Sequence, residues 1–276
     1  MGAQAESSGC RSPLAGGPGQ RRGAGDSECS PLREERDLRG GARCPQRALV
    51  LACLLGFALS SCASTPTPQF HDDFSSDLSN WVVEQQPGGT VAVEDGRLVI
   101  ADVGGCTVWF KHKLEAPVII TYTATVSSKA RVSDLNCFWM ATDPSRPDDL
   151  LAPGHKRTGA FATYDTLRTY YVGYGGNYNS TTRFRRYNGD GTKPLLPKND
   201  LSAPEYLLKP DHAYHIALVV VGSRVQYQRD GEVVFDYTDP EPLTSGWFGF
   251  RTVKSRIEIQ DFKVRQATAS DLMERK

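Results

Sequence analysis

The sequence predicts an all-β fold, a two-sheet antiparallel sandwich of the jelly-roll type. Two hairpin signals support it: TVAVEDGRLVIAD and RVQYQRDGEVVFDYT alternate apolar and polar residues on either side of Asp95-Gly96 and Asp230-Gly231. Further β-branched or aromatic runs, such as APVIITYTATVSS and YHIALVVVGS, have strand length, and no long stretch has the 3.6-residue period of a helix. Repeated hairpins without helices bury one face of each sheet against another sheet, which gives a two-layer sandwich.

The strand-rich region, residues 70–266, is expected to form a single domain, with residues 267–276 as a tail. Residues 62–69 consist mainly of small residues and proline, which is typical of a flexible tether. Residues 1–45 are rich in Gly, Arg, Pro and Ser and hold too few large apolar residues for a core, so we expect them to be disordered. We expect translation to start near Leu38, which would make the preceding residues an over-extended gene model.

An apolar run, ALVLACLLGFAL (residues 48–59), follows a basic flank that contains Arg39, Arg43 and Arg47. A membrane-spanning helix needs roughly 20 apolar residues, so this run is too short to span and predicts a signal peptide over residues 46–61. The run ends in LSSC, which resembles the bacterial lipobox. The resemblance implies lipidation of Cys62 and anchoring in the bacterial cell envelope, at the outer membrane or the periplasmic face. The alternative is an ordinary secretory signal followed by a chance cysteine.

Charge and cysteine content disfavour a nucleic-acid partner and a zinc site. Beyond residue 61 the chain carries 24 basic and 26 acidic residues, so a nucleic acid is not a favoured partner, and membrane contact is expected only through the lipid anchor. The predicted domain contains two cysteines, Cys106 and Cys137. In an exported protein they either pair or are small buried apolar residues. The sequence has no Cys/His spacing typical of a zinc site.

The order of segments along the domain resembles a known fold. An opening FHDDFSSDLSNWVVE and the EDGRLVI hairpin are followed near the end by QYQRDGEVVFDYTD, SGWFGFRT and IQDFKV. This order resembles the concanavalin A-like lectin/glucanase fold over essentially residues 70–266. RVSDLNCFWMATDP and RTGAFATYDTLRTYYVGYGGNYNSTTRFRRY also resemble a bacterial family of uncharacterised domains, similar to the YesU-like proteins of rhamnogalacturonan and other plant-polysaccharide breakdown. The resemblance implies a polysaccharide or oligosaccharide partner, and it carries over no catalytic residues.

Residues 131–187 are rich in aromatic rings and planar hydrogen-bonding groups, which suit the C–H faces and hydroxyls of a sugar in a groove. On the strand SDLNCFWMATD, Asp134 and Asn136 either line the groove or bond the backbone at the strand end. On TLRTYYVGYGG, either Tyr171 or the pair Tyr170 and Tyr174 lies over a sugar, unless these tyrosines belong to the core. The candidate glycan-binding residues are Asp134, Asn136, Trp139, Asp165, Tyr170, Tyr174, Asn177, Asn179, Arg185 and Tyr187.

The segment TTRFRRYNG places two arginines side by side. Strand alternation puts Arg183, Arg185 and Tyr187 on one face and turns Phe184 inward. Adjacent guanidinium groups repel each other, so an anion is expected between them. It is either the carboxylate of a uronic acid in the ligand or an internal carboxylate from Asp165, Asp134 or Asp190.

The reaction class follows from which acidic and basic groups are present. The sequence lacks the Glu-x-Asp-x-x-Glu type of strand found in concanavalin-like glycanases, which disfavours a retaining hydrolase. Arginines with tyrosines suit a polysaccharide lyase, in which a cation stabilises the enolate and a Tyr or His moves the proton. The catalytic candidates are Tyr171, Arg183 and His112, with His155 as another possible base. The alternatives are a non-catalytic glycan-binding lipoprotein and a structural envelope protein.

One metal site is expected at the chain ends. Asp73 in HDDF and Asp261 in QDF come from strands that would neighbour each other. Related sandwiches often hold a structural calcium on the convex side, and carboxylate oxygens suit calcium. Otherwise both are surface carboxylates, and no other cofactor is expected.

Overall fold

The computed structural model describes residues 69–275, so the predicted signal peptide, Cys62 and all but the last residue of the tether lie outside the described residues. The predicted all-β sandwich is confirmed: two antiparallel sheets of eight strands each pack face to face. In chain order the strands are β1 (Phe70–Asp72), β2 (Trp81–Gln85), β3 (Thr90–Glu94), β4 (Arg97–Ala101), β5 (Cys106–Phe110), β6 (Leu114–Glu115), β7 (Val118–Val126), β8 (Leu135–Thr142), β9 (Arg168–Gly175), β10 (Thr181–Asn188), β11 (Asp200–Leu201), β12 (Ala213–Val221), β13 (Arg224–Arg229), β14 (Glu232–Thr238), β15 (Ser245–Thr252) and β16 (Arg256–Gln266).

The first sheet has the spatial order β14-β13-β12-β7-β16-β4-β3, and β1 pairs with β16. The second sheet has the order β11-β10-β9-β8-β15-β5-β2, and β6 pairs with β15. Both predicted hairpin turns are present, at Asp95-Gly96 between β3 and β4 and at Asp230-Gly231 between β13 and β14. Single-turn 3-10 helices occupy the loops, at Phe161–Tyr164, Pro197–Asn199, Pro204–Tyr206 and Ala269–Asp271. No helix within residues 69–275 is both long and apolar enough to cross a membrane.

The core between the sheets is aromatic and aliphatic. Phe248, Phe250 and Phe262 lie at its centre with Trp81, and their ring centroids are 4.7–5.9 Å apart in tilted, edge-on or stacked pairs. Such aromatic pairs add to the free energy gained by removing their apolar area from water. Strand alternation fails once in the second sheet, because Met140 has a positive φ of 52° and the β8 register shifts between Trp139 and Thr142.

Cys106 and Cys137 are free thiols within this core. Burial raises the pKa of each thiol to about 12, so neither is a thiolate near neutral pH. Of the two alternatives for this pair, the structure therefore shows buried apolar residues.

The C-terminal residues after β16, expected as a tail, are packed against the first sheet. The side-chain amides of Gln226 and Gln228 donate to the carbonyl oxygens of Met273 and Asp271, each at 2.8 Å. Arg265 forms a two-pronged ion pair with Asp271 at 2.6 and 2.8 Å. Ordered contacts thus extend beyond residue 266.

Candidate functional site

The outer face of the second sheet carries a row of residues that crosses all seven strands of its path, and all of them but a glycine on β9 have polar side chains. The register aligns these residues from one edge to the other: Glu84, Thr107, Arg251, Asn136, Gly173, Arg183 and Asp200. The adjacent row is mainly aromatic and contains Trp109, Phe138 and Tyr171 before it ends at Arg185. A polar row beside an aromatic row gives this face both hydrogen-bonding groups and flat apolar surface.

Two glycines let the aromatic rings lie flat on the sheet. A Cβ at Gly173 would lie 3.2 Å from the Tyr171 ring, and one at Gly249 would lie 2.6 Å from the Trp109 ring. Trp109 and Phe138 stack at 5.6 Å, and Tyr164 stacks on Phe138 at 5.5 Å. This aromatic cluster is separate from the core between the sheets.

Residues 143–167, which we call the covering segment, lie over one part of this face and are fastened by buried charge. The guanidinium of Arg157 donates from Nε to both oxygens of Glu84 at 3.1 and 3.3 Å, and the Tyr164 hydroxyl donates to Glu84 Oε2 at 2.7 Å. Arg251 is fully buried and donates from Nη1 to the carbonyl oxygen of Gly159 at 3.0 Å and to Thr107 Oγ1 at 2.9 Å. These bonds fix the segment to β2 through Glu84 and to β15 through Arg251, and Thr107 on β5 helps to hold Arg251 in place.

Beside the covering segment lies a cavity of 360 Å³, which we call the first cavity. Its walls come from β9, β10, the loop before β8, the covering segment and the loop after β10. The residues that line it are Asp134, Phe161, Tyr171, Gly173, Gly176, Asn177, Thr181, Arg183, Arg185, Tyr187 and Lys193. Six of them are residues that the sequence singled out: Asp134, Tyr171, Asn177, Arg183, Arg185 and Tyr187.

Two of the three cations that line the first cavity, and the nearby Arg131, have a carboxylate partner. Arg183 forms a bidentate pair with Asp200 at 2.7 and 3.1 Å, and Lys193 pairs with Asp165. Arg131 pairs with Asp134 at 2.8 Å. The carboxylate that neutralises Arg183 is therefore none of the three internal candidates expected from the sequence, since Asp200 lies on β11, an edge strand of only two residues.

Arg185 is the cation at this cavity whose charge is not balanced. Its Nη1 donates to the carbonyl oxygen of Lys193 at 2.6 Å, and it forms no ion pair within residues 69–275. Arg251 below the cavity wall also has no carboxylate partner among the described residues, and its Nε and Nη2 have no hydrogen-bond partner. Both charges favour a negatively charged group in the cavity, because a buried wall screens them less than water does.

The two tyrosines of the cavity are neutral near physiological pH. Desolvation by burial raises the pKa of Tyr171 well above its usual value, and the neighbouring Tyr187 phenol raises it further. Burial likewise raises the pKa of Tyr187, and the charge of Asp165 adds to the effect. The Tyr187 hydroxyl is buried without a hydrogen-bond partner, so it is free to bond a ligand.

The rim of the first cavity is a turn in the left-handed conformation, from Gly175 to Asn179. Asn177, Tyr178 and Asn179 have φ angles of 51°, 60° and 60°, and such angles cost roughly 1–3 kcal/mol for each residue. Asn179 holds the turn, because its amide donates to the Leu208 carbonyl at 2.9 Å and its oxygen accepts from the Leu208 N–H at 2.8 Å. The turn presents Tyr178 with 80% of its surface exposed, and the Arg131 guanidinium lies 4.8 Å from the ring centroid.

Sequence reasoning missed Tyr178, although a signal for it was present. Gly and Asn are the residues that adopt left-handed φ angles most readily, and GGNYN holds four of them around one tyrosine. The sequence also gave no direct sign of Phe161 or Lys193, which reach the cavity from loops.

Several expected glycan-binding residues do not reach the first cavity. Trp139, Tyr170 and Tyr174 belong to the core between the sheets, because their positions alternate with outward-facing ones. Tyr170 also donates its hydroxyl to the buried Asp239 at 2.7 Å. Asn136 is buried in the polar row and does not line the cavity, and Asn179 is occupied by Leu208.

The two histidines and Asp165 also differ from expectation. His112 is exposed beside Phe70 and Phe110, with ring centroids at 5.7 and 5.0 Å, and it does not line the first cavity. His155 lies on the covering segment, 3.5 Å from Glu84. Asp165 does not itself line the cavity, and its contact there is its ion pair with Lys193.

The expected calcium ligands are engaged elsewhere. Asp73 accepts from the Ser75 N–H at 3.0 Å, while Asp261 bonds His71 at 2.9 Å and Lys263 at 2.7 Å. Within the described part of the chain no group of three or more His, Cys, Asp or Glu side chains is arranged to hold a metal ion. The calcium site at Asp73 and Asp261 therefore stays a prediction, and both carboxylates already have partners within the described residues.

The rim turn generates a prediction with a matched control. A Cβ at Gly175 (φ 66°) would lie 2.3 Å from Leu208 Cδ1 and 2.8 Å from Asn179 Oδ1, whereas one at Gly222 (φ 57°) meets no atom within 4 Å. Both Gly→Ala variants carry the left-handed cost, about 1–2 kcal/mol, and Gly175→Ala is expected to lose about 1–3 kcal/mol more through overpacking. Urea unfolding measures both variants, and equal losses would contradict the fixed turn.

Comparison with known proteins agrees with the fold. A Bacillus subtilis protein of unknown function with a galectin-like fold superposes with a TM-score of 0.59 at 21% identity, over 74% of this chain and 97% of that one. The carbohydrate-binding module CBM66 from Bacillus subtilis superposes with a TM-score of 0.48 at 12% identity, over 68% of this chain and 96% of the module. A search of curated proteins found no match. The sequence model of one family, a domain of unknown function designated DUF6250, matches residues 100–262, so this chain belongs to that family.

Proposed function

We propose that the first cavity binds an acidic sugar residue of a polysaccharide, with its carboxylate at Arg185. The observation that carries the proposal is the unbalanced charge of Arg185 in a cavity that also holds Tyr171, Tyr187 and Asn177. A guanidinium group binds a carboxylate through paired hydrogen bonds, which is stronger than a neutral hydrogen bond.

The remaining groups of the cavity fit the rest of a sugar ring. The Tyr187 hydroxyl and the Asn177 side chain can exchange hydrogen bonds with sugar hydroxyls. Tyr178 projects from the rim with Arg131 against it, and an exposed aromatic ring is a flat apolar surface for the C–H face of a neighbouring sugar. Among acidic polysaccharides we propose the galacturonate-containing plant type, which the YesU-like resemblance of the sequence implies.

Binding without cleavage is the function that the geometry supports best. A lyase needs a base that removes the proton next to the carboxylate, and Tyr171 and Tyr187 are the phenols in position. Their raised pKa values leave very little tyrosinate near neutral pH. His112, the other expected base, is not at the cavity. We therefore propose a glycan-binding role and retain elimination as the alternative for the experiment to decide.

Removal of the unbalanced charge tests the site. Arg185→Ala is expected to lower the affinity for oligogalacturonates by about tenfold or more, because a hydrogen bond to a charged group contributes about 1.5–3 kcal/mol. Isothermal titration calorimetry measures the loss. Arg168→Ala is the matched control, since Arg168 is 43% exposed on the neighbouring strand and lies outside the cavity lining. Unchanged affinity in Arg185→Ala would refute the assignment.

Incubation with polygalacturonate and rhamnogalacturonan separates binding from elimination. Elimination creates an unsaturated uronate that absorbs ultraviolet light, and hydrolysis creates none. We expect no rise in absorbance near neutral pH, because the cavity phenols remain protonated. A rise that Tyr171→Phe or Tyr187→Phe abolishes would establish a lyase and identify its base.

We also propose that the domain is held at the cell envelope by a lipid on Cys62, as LSSC and the preceding apolar run suggest. Metabolic labelling with a fatty-acid analogue in a bacterial host is expected to mark the protein. Cys62→Ser is expected to remove the label and release the protein from membranes, and Cys53→Ser, inside the apolar run, is the control. Labelling that persists in Cys62→Ser would exclude this anchor.

A further inference from the structure

A second cavity, of 550 Å³, is lined by the covering segment, which also contributes Phe161 to the first cavity. It is bounded by residues 143–146 and 154–157 of that segment and by Gly189 after β10. The 3-10 helix Phe161–Tyr164 connects the two cavities, because Phe161 lines the first and Thr163 lines the second.

The second cavity has an excess of positive charge. Arg146, Lys156 and Arg157 line it together with a single carboxylate, that of Asp143, and the charge of Arg157 is balanced from behind by Glu84. Arg146 donates to the carbonyl oxygens of Pro153 and Gly154 at 3.0 and 2.9 Å. Neither Arg146 nor Lys156 forms an ion pair with a carboxylate of residues 69–275.

Two polar nitrogens at this cavity are buried without a hydrogen-bond partner. The side chain of Arg157 is only 3% exposed, its Nη1 makes no hydrogen bond, and the nearest carboxylate oxygen, Asp143 Oδ2, is 3.5 Å away. His155 Nδ1 is also unpartnered, while its Nε2 lies 3.5 Å from Glu84 Oε1. The unpaired donor is Arg157 Nη1; such a buried donor costs about 1–3 kcal/mol, so an acceptor that enters the cavity recovers that energy.

We propose that the second cavity is a further subsite of the same binding face and takes the carboxylate of a second acidic sugar residue. The inference rests on the proposed function of the first cavity, since it assigns the second to the same ligand. Two subsites that share one wall are occupied by one oligosaccharide chain. The second contact is then intramolecular, and affinity rises with chain length once the oligomer spans both cavities.

The test is the dependence of affinity on oligomer length, measured by calorimetry on the full chain with a series of oligogalacturonates. The unaltered protein is expected to bind the longest oligomers much more tightly than the shortest. In the double variant Arg146→Gln with Lys156→Gln, the affinity for the longest oligomers is expected to fall by about tenfold, while the affinity for the shortest oligomers stays the same. Because Arg146 also fastens the covering segment, Lys156→Glu serves as a second variant. Lys156 is exposed and makes no side-chain hydrogen bond within residues 69–275, and the same direction of effect is expected.

Lys209→Gln with Lys263→Gln is the matched control, because it removes two positive charges that line neither cavity. If the affinity of both Lys156→Glu and the double variant rises with oligomer length as it does in the unaltered protein, the second subsite is excluded. The loss of affinity in Arg185→Ala tests the first cavity independently of that result. Failure of the unaltered protein to bind any oligomer refutes the proposed function itself.

Discussion

The buried ion pair between Glu84 and Arg157 is the constraint on which the outer face of the second sheet depends. It joins β2 to the covering segment, and the Tyr164 hydroxyl completes the coordination of the same carboxylate. A buried pair adds little net stability, but removal of one partner leaves an uncompensated buried charge and costs about 3–5 kcal/mol. The position of the segment is therefore strongly specified. Because the segment supplies a wall to each cavity, that one pair fixes the shape of both.

The same face keeps a second buried cation, Arg251, without a carboxylate partner in the described chain. Its guanidinium lies 4.8 Å from the Phe161 ring centroid and 4.9 Å from that of Tyr164, and cation–π attraction compensates part of its desolvation. Its charge nevertheless acts on the groups around it, since it lowers the pKa of Tyr171 against the larger raising effect of burial. An anionic ligand therefore meets a field from below the cavity wall as well as from Arg185.

Local pattern predicted the fold and the faces of single strands, because the DG turns and the period of two are encoded by neighbouring residues. It predicted that Phe184 turns inward while Arg183 and Arg185 share the other face, as the structure shows. It did not show that Tyr170 faces the core between the sheets while Tyr171 lies on the outer face. Alternation along a strand separates the two faces but does not say which of them is covered by the other sheet. It also missed the partners: Asp200 is 17 residues from Arg183, and Glu84 is 73 from Arg157. Such pairs depend on the order of the strands in the sheet, and the alternation of apolar and polar residues along one strand does not encode that order.

The rim turn is the feature of this face whose conformation costs the most and therefore most needs a functional explanation. Three consecutive non-glycine residues adopt left-handed φ angles there. A two-residue hairpin turn joins two antiparallel strands with less backbone strain. The turn contributes no buried apolar residue, so the core gains nothing from it. The turn instead determines the positions of two side chains. Asn177 lines the first cavity, and the exposed Tyr178 ring lies at the rim of that cavity against the guanidinium of Arg131. A conformation that costs stability and places an aromatic ring beside a cationic cavity is what the proposed recognition of a sugar requires.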